Sequence, residues 1–322
     1  MRAARVTSQN PHDPLSGLTL SHDHPEPEPK PGHTIVRLKA ASLNPHDLWT
    51  LRGVGHPAER VPMILGCDGA GVTDDGREVV LYPVIGDASH SGDITLDPDR
   101  ALLSETIDGT LADSILVPDS LLVDKPEEID FVDAACLGTA WGTAYRMLFS
   151  RARVQPGSTV LVQGASGGVS SAAIALARAA GATVFATARS EAKREFALQQ
   201  GAHVALEHGA RLPDRVDVVV DSVGAATWEH SMRAVRPGGT IVVCGATTGA
   251  MPPAELNRLF YQQISVVGSS GCTPDEFERM LELLRRTGLR PRTETLGFEE
   301  IPAGLARLMD GEILGKLVVT FD

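Results

Sequence analysis

Only four cysteines occur in 322 residues, Cys67, Cys136, Cys244 and Cys272, and no two form a C-x-x-C pair. That spacing offers neither a disulfide framework nor a thiolate cage, so they are expected as reduced, mostly buried thiols of a cytoplasmic protein. Runs of Lys or Arg are missing too, and a net charge of −12 argues against nucleic acid as a partner. No apolar stretch approaches the ~20 residues that cross a bilayer. Met1-Arg2-Ala3-Ala4-Arg5-Val6 lacks the apolar core of a signal peptide, so no membrane association is expected, and no internal repeat stands out. What remains is an ordinary globular composition, 43% hydrophobic and 22% charged, long enough for two domains.

The stretch Thr159 to Ser170 organises the rest. A run of β-branched type (Thr159-Val160-Leu161-Val162) ends in Gln163-Gly164-Ala165-Ser166-Gly167-Gly168-Val169, and an Ala-rich run, Ser171 to Ala180, follows at once. This order predicts a buried parallel strand, a tight turn and a helix start. Glycines in such a turn let the backbone approach a ligand, and the helix N-terminus beyond it seats a pyrophosphate. Ser170 stands where the third glycine of a G-x-x-G-x-x-G spacing would fall. A slightly displaced helix is expected there rather than a lost site.

Before this stretch the chain predicts short strands and turns. Residues 1 to 32, rich in Pro and His, are expected as a solvated loop, and residues 86 to 110 as a long polar surface loop. Strands are expected at 33–41, 62–72, 77–82 and 112–117, and a helix from 129 to 149 interrupted at Gly138-Thr139. From Ser158 onward strands and helices alternate, with strands expected at 183–188, 203–206, 216–221, 240–244 and 264–267. Together with the run at Thr159 they predict an α/β fold with a doubly wound, parallel six-stranded Rossmann sheet. The tail from Pro291 returns to β character and is expected to rejoin the first domain. The expected division is therefore 1–123 plus 287–322 for a β-rich catalytic domain and 124–286 for the dinucleotide-binding domain.

A Rossmann site that takes NAD places an acid at the end of its second strand. Here that strand ends Ala188-Arg189-Ser190, with Lys193 close behind. A guanidinium, a hydroxyl and an ammonium suit a 2′-phosphate, so NADP(H) is expected. Solvent-facing pairing of Arg189 and Lys193 with Glu191 or Glu195 is the plainer alternative.

Several ordered motifs now meet in one chain: Ala41-Ser42-Leu43-Asn44-Pro45-His46-Asp47, Leu65-Gly66-Cys67-Asp68-Gly69-Ala70-Gly71-Val72, Gly109-Thr110-Leu111-Ala112, Gly164 to Val169, Asp221-Ser222-Val223-Gly224, Pro237-Gly238-Gly239, Val267-Gly268-Ser269 and Gly315-Lys316. With these the chain resembles the medium-chain dehydrogenase/reductase superfamily, in its zinc-free quinone oxidoreductase-like branch. The resemblance implies a GroES-like β-rich domain beside the Rossmann domain, and hydride transfer from NADPH to a quinone or α,β-unsaturated carbonyl. It places Asn44, Cys67 and Thr139 at or near the metal-ligand positions of zinc members, a poor donor set for Zn²⁺. No metal is therefore expected.

The resemblance also nominates site residues. Asn44, Tyr82 and Thr143 are the catalytic candidates. Asn44 is expected either as a donor to the substrate carbonyl or as a helix N-cap. Tyr82 is read as a phenol donor or a buried structural tyrosine, and Thr143 as a nicotinamide contact or a plain helical residue. Cys67 is expected as a small apolar filler, and Asp47 as support for its loop. Cofactor contacts are expected from Gly164, Ser166, Gly167, Gly168, Val169, Arg189, Ser190, Lys193, Val223, Gly245, Thr247, Gly268, Ser269, Ser270 and Lys316. Relatives pair through the sheet edge, so a homodimer through the apolar run 264–267 is expected. A zinc-independent alcohol or aldehyde oxidoreductase, or a weakly catalytic NADP-binding protein, are the alternatives.

Overall fold

The computed structural model describes residues 1–321; Asp322, the last residue of the expected β-rich domain, lies outside them. The chain divides into two compact units, residues 140–272 and residues 1–139 together with the segment from Thr273 onward.

The unit 140–272 is built on one six-stranded parallel sheet. Its order across the sheet is Val204–Glu207, Thr183–Ala188, Thr159–Val162, Val216–Asp221, Val235–Val243 and Ser265–Gly268. The central strands carry uninterrupted β-branched runs because both faces are covered, the pattern that parallel sheets require. Leu161, Val219 and Ile241 join Met232 and Val235 in its core. Helices Gly168–Ala179, Glu191–Gln199 and Ala225–Ala234 make the crossovers. The fifth strand starts earlier than expected, at Val235, and takes in Pro237-Gly238-Gly239. The register shifts at that point, so these three residues bulge out of the ladder rather than turn the chain.

The other unit centres on a seven-stranded sheet. Strand His33–Ser42 alternates apolar and polar residues and pairs antiparallel with Asp68–Thr73, Ser114–Pro118 and Lys316–Thr320. The C-terminal strand therefore lies directly against His33–Ser42, as the tail's β character implied. Between the two tail strands runs helix Ile301–Asp310, whose Ile301 and Leu305 are buried. That helix was not expected.

Three other expectations are corrected. Residues 1 to 32 are not all solvated loop, because Ala3–Val6 pairs with Leu18–Ser21 and with Met63–Ile64. Ala3, Ala4 and Val6 are fully buried there, and the Pro/His-rich cluster begins only beyond them. The polar segment 86–110 is folded: Val84–Ile85 pairs with Ala101–Leu102, and Leu103 and Ser104 are buried. Asp97 turns inward, accepting from the backbone N–H of Asp87 at 2.6 Å and of Asp99 at 2.9 Å. The expected helix 129–149 is broken into Phe131–Ala134, a π-turn at Leu137–Trp141, Gly142–Tyr145 and a second π-turn at Arg146–Arg151.

The units also part at other residues than expected. Helix Pro274–Thr287, expected in the nucleotide domain, belongs to the β-rich unit, where Phe277 packs on Tyr82 with ring centroids 5.9 Å apart. Phe277 has no exposed surface. Phe277→Ala is expected to lower unfolding stability by about 3–5 kcal/mol, read by denaturant titration; a loss below about 1 kcal/mol would mean this helix does not share the unit's core.

Candidate active site

The sheet of the unit 140–272 presents one continuous carboxyl edge. Gly164 to Val169 follow Thr159–Val162, and Arg189 and Ser190 follow Thr183–Ala188. Val223 follows Val216–Asp221, Gly245 and Thr247 follow Val235–Val243, and Gly268 to Ser270 close Ser265–Gly268. Five neighbouring strands thus bring fourteen of the fifteen expected cofactor residues to one edge, where parallel sheets bind ligands. Lys316 belongs to the other unit.

The glycine turn fits a pyrophosphate. Gly164 adopts φ +66°, and a Cβ there would stand 2.7 Å from Val223 Cγ2. Gly167 caps helix Gly168–Ala179 without a side chain over the helix end, and a Cβ on it would meet nothing within 4 Å. The first amides of the helix therefore look into open space. Ser170 is buried, and its hydroxyl donates to Gln163 O at 3.2 Å, joining helix to strand where the missing glycine would have allowed close packing.

Beneath this edge lie two buried polar side chains that the sequence reading gave no role. Gln163 donates to Ser231 Oγ at 3.1 Å, lies 2.9 Å from His230 Nδ1, and accepts from Thr187 Oγ1 at 2.5 Å. Asp221 accepts from the N–H of Val223 at 2.9 Å and of Gly224 at 3.0 Å, and from Thr227 and Ser231. It shapes the turn that carries Val223. A polar residue closing an apolar strand was the available signal, since a buried polar group has to be paired.

In the β-rich unit a second constellation forms around Asp68, which has no exposed surface. Asp68 Oδ1 accepts from Thr139 N at 2.7 Å; Oδ2 accepts from Ser42 Oγ at 3.1 Å, from Asn44 Nδ2 at 2.9 Å and from Thr139 Oγ1. Lys316 Nζ donates to Asn44 Oδ1 at 2.5 Å and to Leu43 O at 3.0 Å, and lies 3.6 Å from Asp68 Oδ2. The second proton of Asn44 Nδ2 goes to Ser42 O at 3.1 Å, while Thr139 Oγ1 lies 3.1 Å from Asn44 Oδ1. Asn44 is the N-cap residue of helix Pro45–Arg52, one of its two expected places, and both its amide protons are directed within the cluster. Asp47 at the third helical position completes the cap, accepting from Asn44 N at 2.8 Å, and also accepts from Gly66 N at 2.9 Å. Gly66 is at φ +98°, and a Cβ there would stand 2.5 Å from Thr110 Oγ1.

Tyr82 is 1% exposed, so its phenol sits inside the packing against Phe277. Thr143 lies half-buried in the short helix Gly142–Tyr145, in the other unit from Asn44 and Tyr82.

Residues 30–127 match the alcohol dehydrogenase GroES-like domain family, and residues 168–286 match the zinc-binding dehydrogenase family. A quinone oxidoreductase of Mus musculus is 30% identical over 267 residues, 78% of this chain and 76% of that protein. The chain belongs to the quinone oxidoreductase-like branch of the medium-chain dehydrogenase/reductase superfamily. The crystal structure of an NAD-dependent alcohol dehydrogenase superposes with a TM-score of 0.93 at 32% identity, covering 100% of both chains. A crotonyl-CoA carboxylase/reductase in complex with NADP superposes with a TM-score of 0.89 at 25% identity, covering 99% of this chain and 94% of that one. Like the superfamily at large, this chain is an oxidoreductase.

All four cysteines are free, three of them buried and Cys244 half-buried. Burial, and then the charges of Asp68 and Asp47, push the Cys67 thiol well above its ordinary pKa. Burial pushes Cys244 up to about 12. Thiolate is the reactive form, so at a pH of about 8 no native thiol is expected to react rapidly with a disulfide reagent. All four should titrate in denaturant, and a fast native thiol assigned to Cys67 would overturn its reading as a small apolar filler.

Proposed function

We propose that the chain is an NADPH-dependent reductase that passes hydride to a quinone or an α,β-unsaturated carbonyl without a bound metal. The observation that carries the coenzyme reading is the end of strand Thr183–Ala188, where no carboxylate stands before Glu191 and Arg189 and Ser190 are exposed. Lys193 lies in the first turn of helix Glu191–Gln199, whose N-cap is Ser190. A guanidinium, a hydroxyl and an ammonium at that place suit a 2′-phosphate better than a free ribose diol, which a carboxylate acceptor holds in NAD sites. The quinone oxidoreductase and crotonyl-CoA reductase likenesses support the substrate class.

The reduced nicotinamide, when bound, supplies the hydride. The chain's part is placement. The turn 164–168 and the helix behind it hold the pyrophosphate, and the Asp221-braced turn fixes Val223 at the same edge. The donor set near Asn44 supports the metal-independent reading. Among the described residues no three His, Cys, Asp or Glu side chains are arranged to hold an ion. Asn44 Oδ1 is already engaged by the Lys316 ammonium, and one thiol with an amide and a hydroxyl is a poor donor set for Zn²⁺.

NADPH oxidation with 1,4-benzoquinone, a simple enone and an aldehyde, run side by side, tests the reading; aldehyde turnover alone would favour an alcohol or aldehyde oxidoreductase. Arg189→Ala with Lys193→Ala is expected to raise KM for NADPH roughly tenfold or more and leave KM for NADH unchanged. A wild-type preference for NADH would defeat the coenzyme assignment.

A homodimer belongs to the same proposal. Strand Ser265–Gly268 is an open edge of the sheet, with Val266 41% exposed. Phe260 at 66% and Tyr261 at 83% lie just before it in the chain. Exposed apolar groups beside an unpaired strand edge suit a second copy. Val266→Glu is expected to shift the chain from dimer to monomer in light-scattering chromatography; a monomeric wild type would remove this part.

A further inference from the structure

Helix Ala225–Ala234 carries a histidine into the buried network beneath the carboxyl edge of the unit 140–272. His230 is 7% exposed, and Gln163 and Thr187 have no exposed surface. Both ring nitrogens are engaged: Nδ1 lies 2.9 Å from Gln163 Nε2, and Nε2 lies 2.9 Å from Ala210 O.

The network fixes where the imidazole proton stands. Asp221 is a carboxylate and only accepts, so the Ser231 hydroxyl gives its proton to Asp221 Oδ2, at 2.7 Å. Ser231 Oγ can then only accept from Gln163, at 3.1 Å. That puts the amide NH₂ on this side and the amide oxygen toward the Thr187 hydroxyl. The same NH₂ faces His230 Nδ1, which is therefore bare, while the Ala210 carbonyl requires the proton on Nε2. The ring is neutral and in one tautomer. Burial holds it below the ordinary imidazole pKa, and the Ala210 carbonyl pulls the other way. Of the charged groups around it, His208 beyond strand Val204–Glu207 and Arg233 on its own helix act in the sense of burial, and Asp221 opposes them.

This network braces the glycine turn. Gln163 directly precedes Gly164, and its carbonyl accepts from Ser170 in the first turn of helix Gly168–Ala179. Thr187 O accepts from Ala165 N at 3.0 Å, and Arg189 stands two residues further on. A proton taken from solvent onto Nδ1 would set N–H against N–H. Gln163 would then have to turn its oxygen to the ring, which places that oxygen against Ser231 Oγ and takes away the acceptor of the Thr187 hydroxyl. Buried polar groups left unpaired are costly, so the ring cannot charge without disturbing the turn.

We propose that neutral His230 is a positioning residue of the coenzyme turn, and that taking up a proton releases Gln163 and lowers the affinity for coenzyme. The inference rests on the coenzyme reading above and adds to it a dependence on pH. Its sign follows from linkage. The turn that binds coenzyme is the one beside a neutral ring, so binding weakens as pH falls, and bound coenzyme in turn makes the ring harder to protonate.

Calorimetric titration with NADP⁺, which survives acid, compares the full-length wild type with His230→Gln from about pH 8 to about pH 5. Glutamine offers a carbonyl to Gln163 and an amide proton to Ala210, and it never charges. The two dissociation constants are expected to agree within about twofold at the higher pH, and the wild type's to be about fivefold or more the larger at the lower. The 2′-phosphate and the exposed histidines titrate in both proteins, so the ratio reads His230. A second readout needs no variant. In histidine-labelled wild type, the His230 Cε1–H resonance should titrate at lower pH with NADP⁺ bound than without it.

A ratio that stays constant across the pH range, whether near one or not, would overturn the proposal and leave His230 as packing. If His230→Gln does not fold, the resonance decides: a lowered midpoint supports the proposal and an unchanged one overturns it. A wild type that takes NAD⁺ instead defeats the NADPH assignment, and the same comparison run with NAD⁺ still decides His230. A wild type that binds neither coenzyme defeats both.

Discussion

A carboxylate with no exposed surface has to be matched, and the β-rich unit is arranged around matching Asp68. The four donors that reach it come from distant parts of the chain: Ser42 at the end of strand His33–Ser42, Asn44 just beyond, and Thr139, which gives both its amide and its hydroxyl. The ammonium comes from the first residue of strand Lys316–Thr320. Strand register makes this convergence possible. Asp68 pairs with Ser42, and Ser42 also pairs with Val318. A one-residue slip in either ladder would turn the side chains to the opposite face and leave a buried charge unpaired. The cluster and the sheet therefore specify one another.

The unit 140–272 solves a similar problem in a similar place. Asp221 ends a strand, is fully buried, and is met by two backbone N–H groups and two hydroxyls. Its bonds hold the turn in which Gly224, at φ +88°, approaches Gly249 O so closely that a Cβ would stand 2.5 Å away. In both units a buried acid at a strand terminus turns an irregular segment into a rigid one. Loops that present functional groups need such support, because their backbone is not held by a ladder.

The parts that were legible in the sequence are those written in a local pattern. Thr183–Ala188 and Val216–Asp221 are β-branched runs bounded by polar residues, and their observed limits are the expected ones. The glycine turn was legible because strand, turn and helix follow within a dozen residues. What escaped was written in long-range pairing. The segment 86–110 looks like solvent-facing loop because it is acidic, yet Asp97 faces inward to two backbone amides, which composition does not reveal. The tail helix at Ile301 was hidden by the β character on either side of it. Asn44 could be placed at a site but not given a bonding pattern, since its partners lie 24, 95 and 272 positions away.

The same distances explain why Lys316 reads differently in sequence and in three dimensions. In sequence it is a lysine after glycine at the start of an apolar strand, which the resemblance places among the cofactor contacts. In the fold its charge points into the unit and is enclosed by Leu43, Asn44 and Asp68. A lysine held this way costs several kcal/mol in desolvation unless its attraction to nearby acceptors repays it. Cys67 experiences the opposite sign of the same environment, its thiol kept protonated by burial and by two carboxylates.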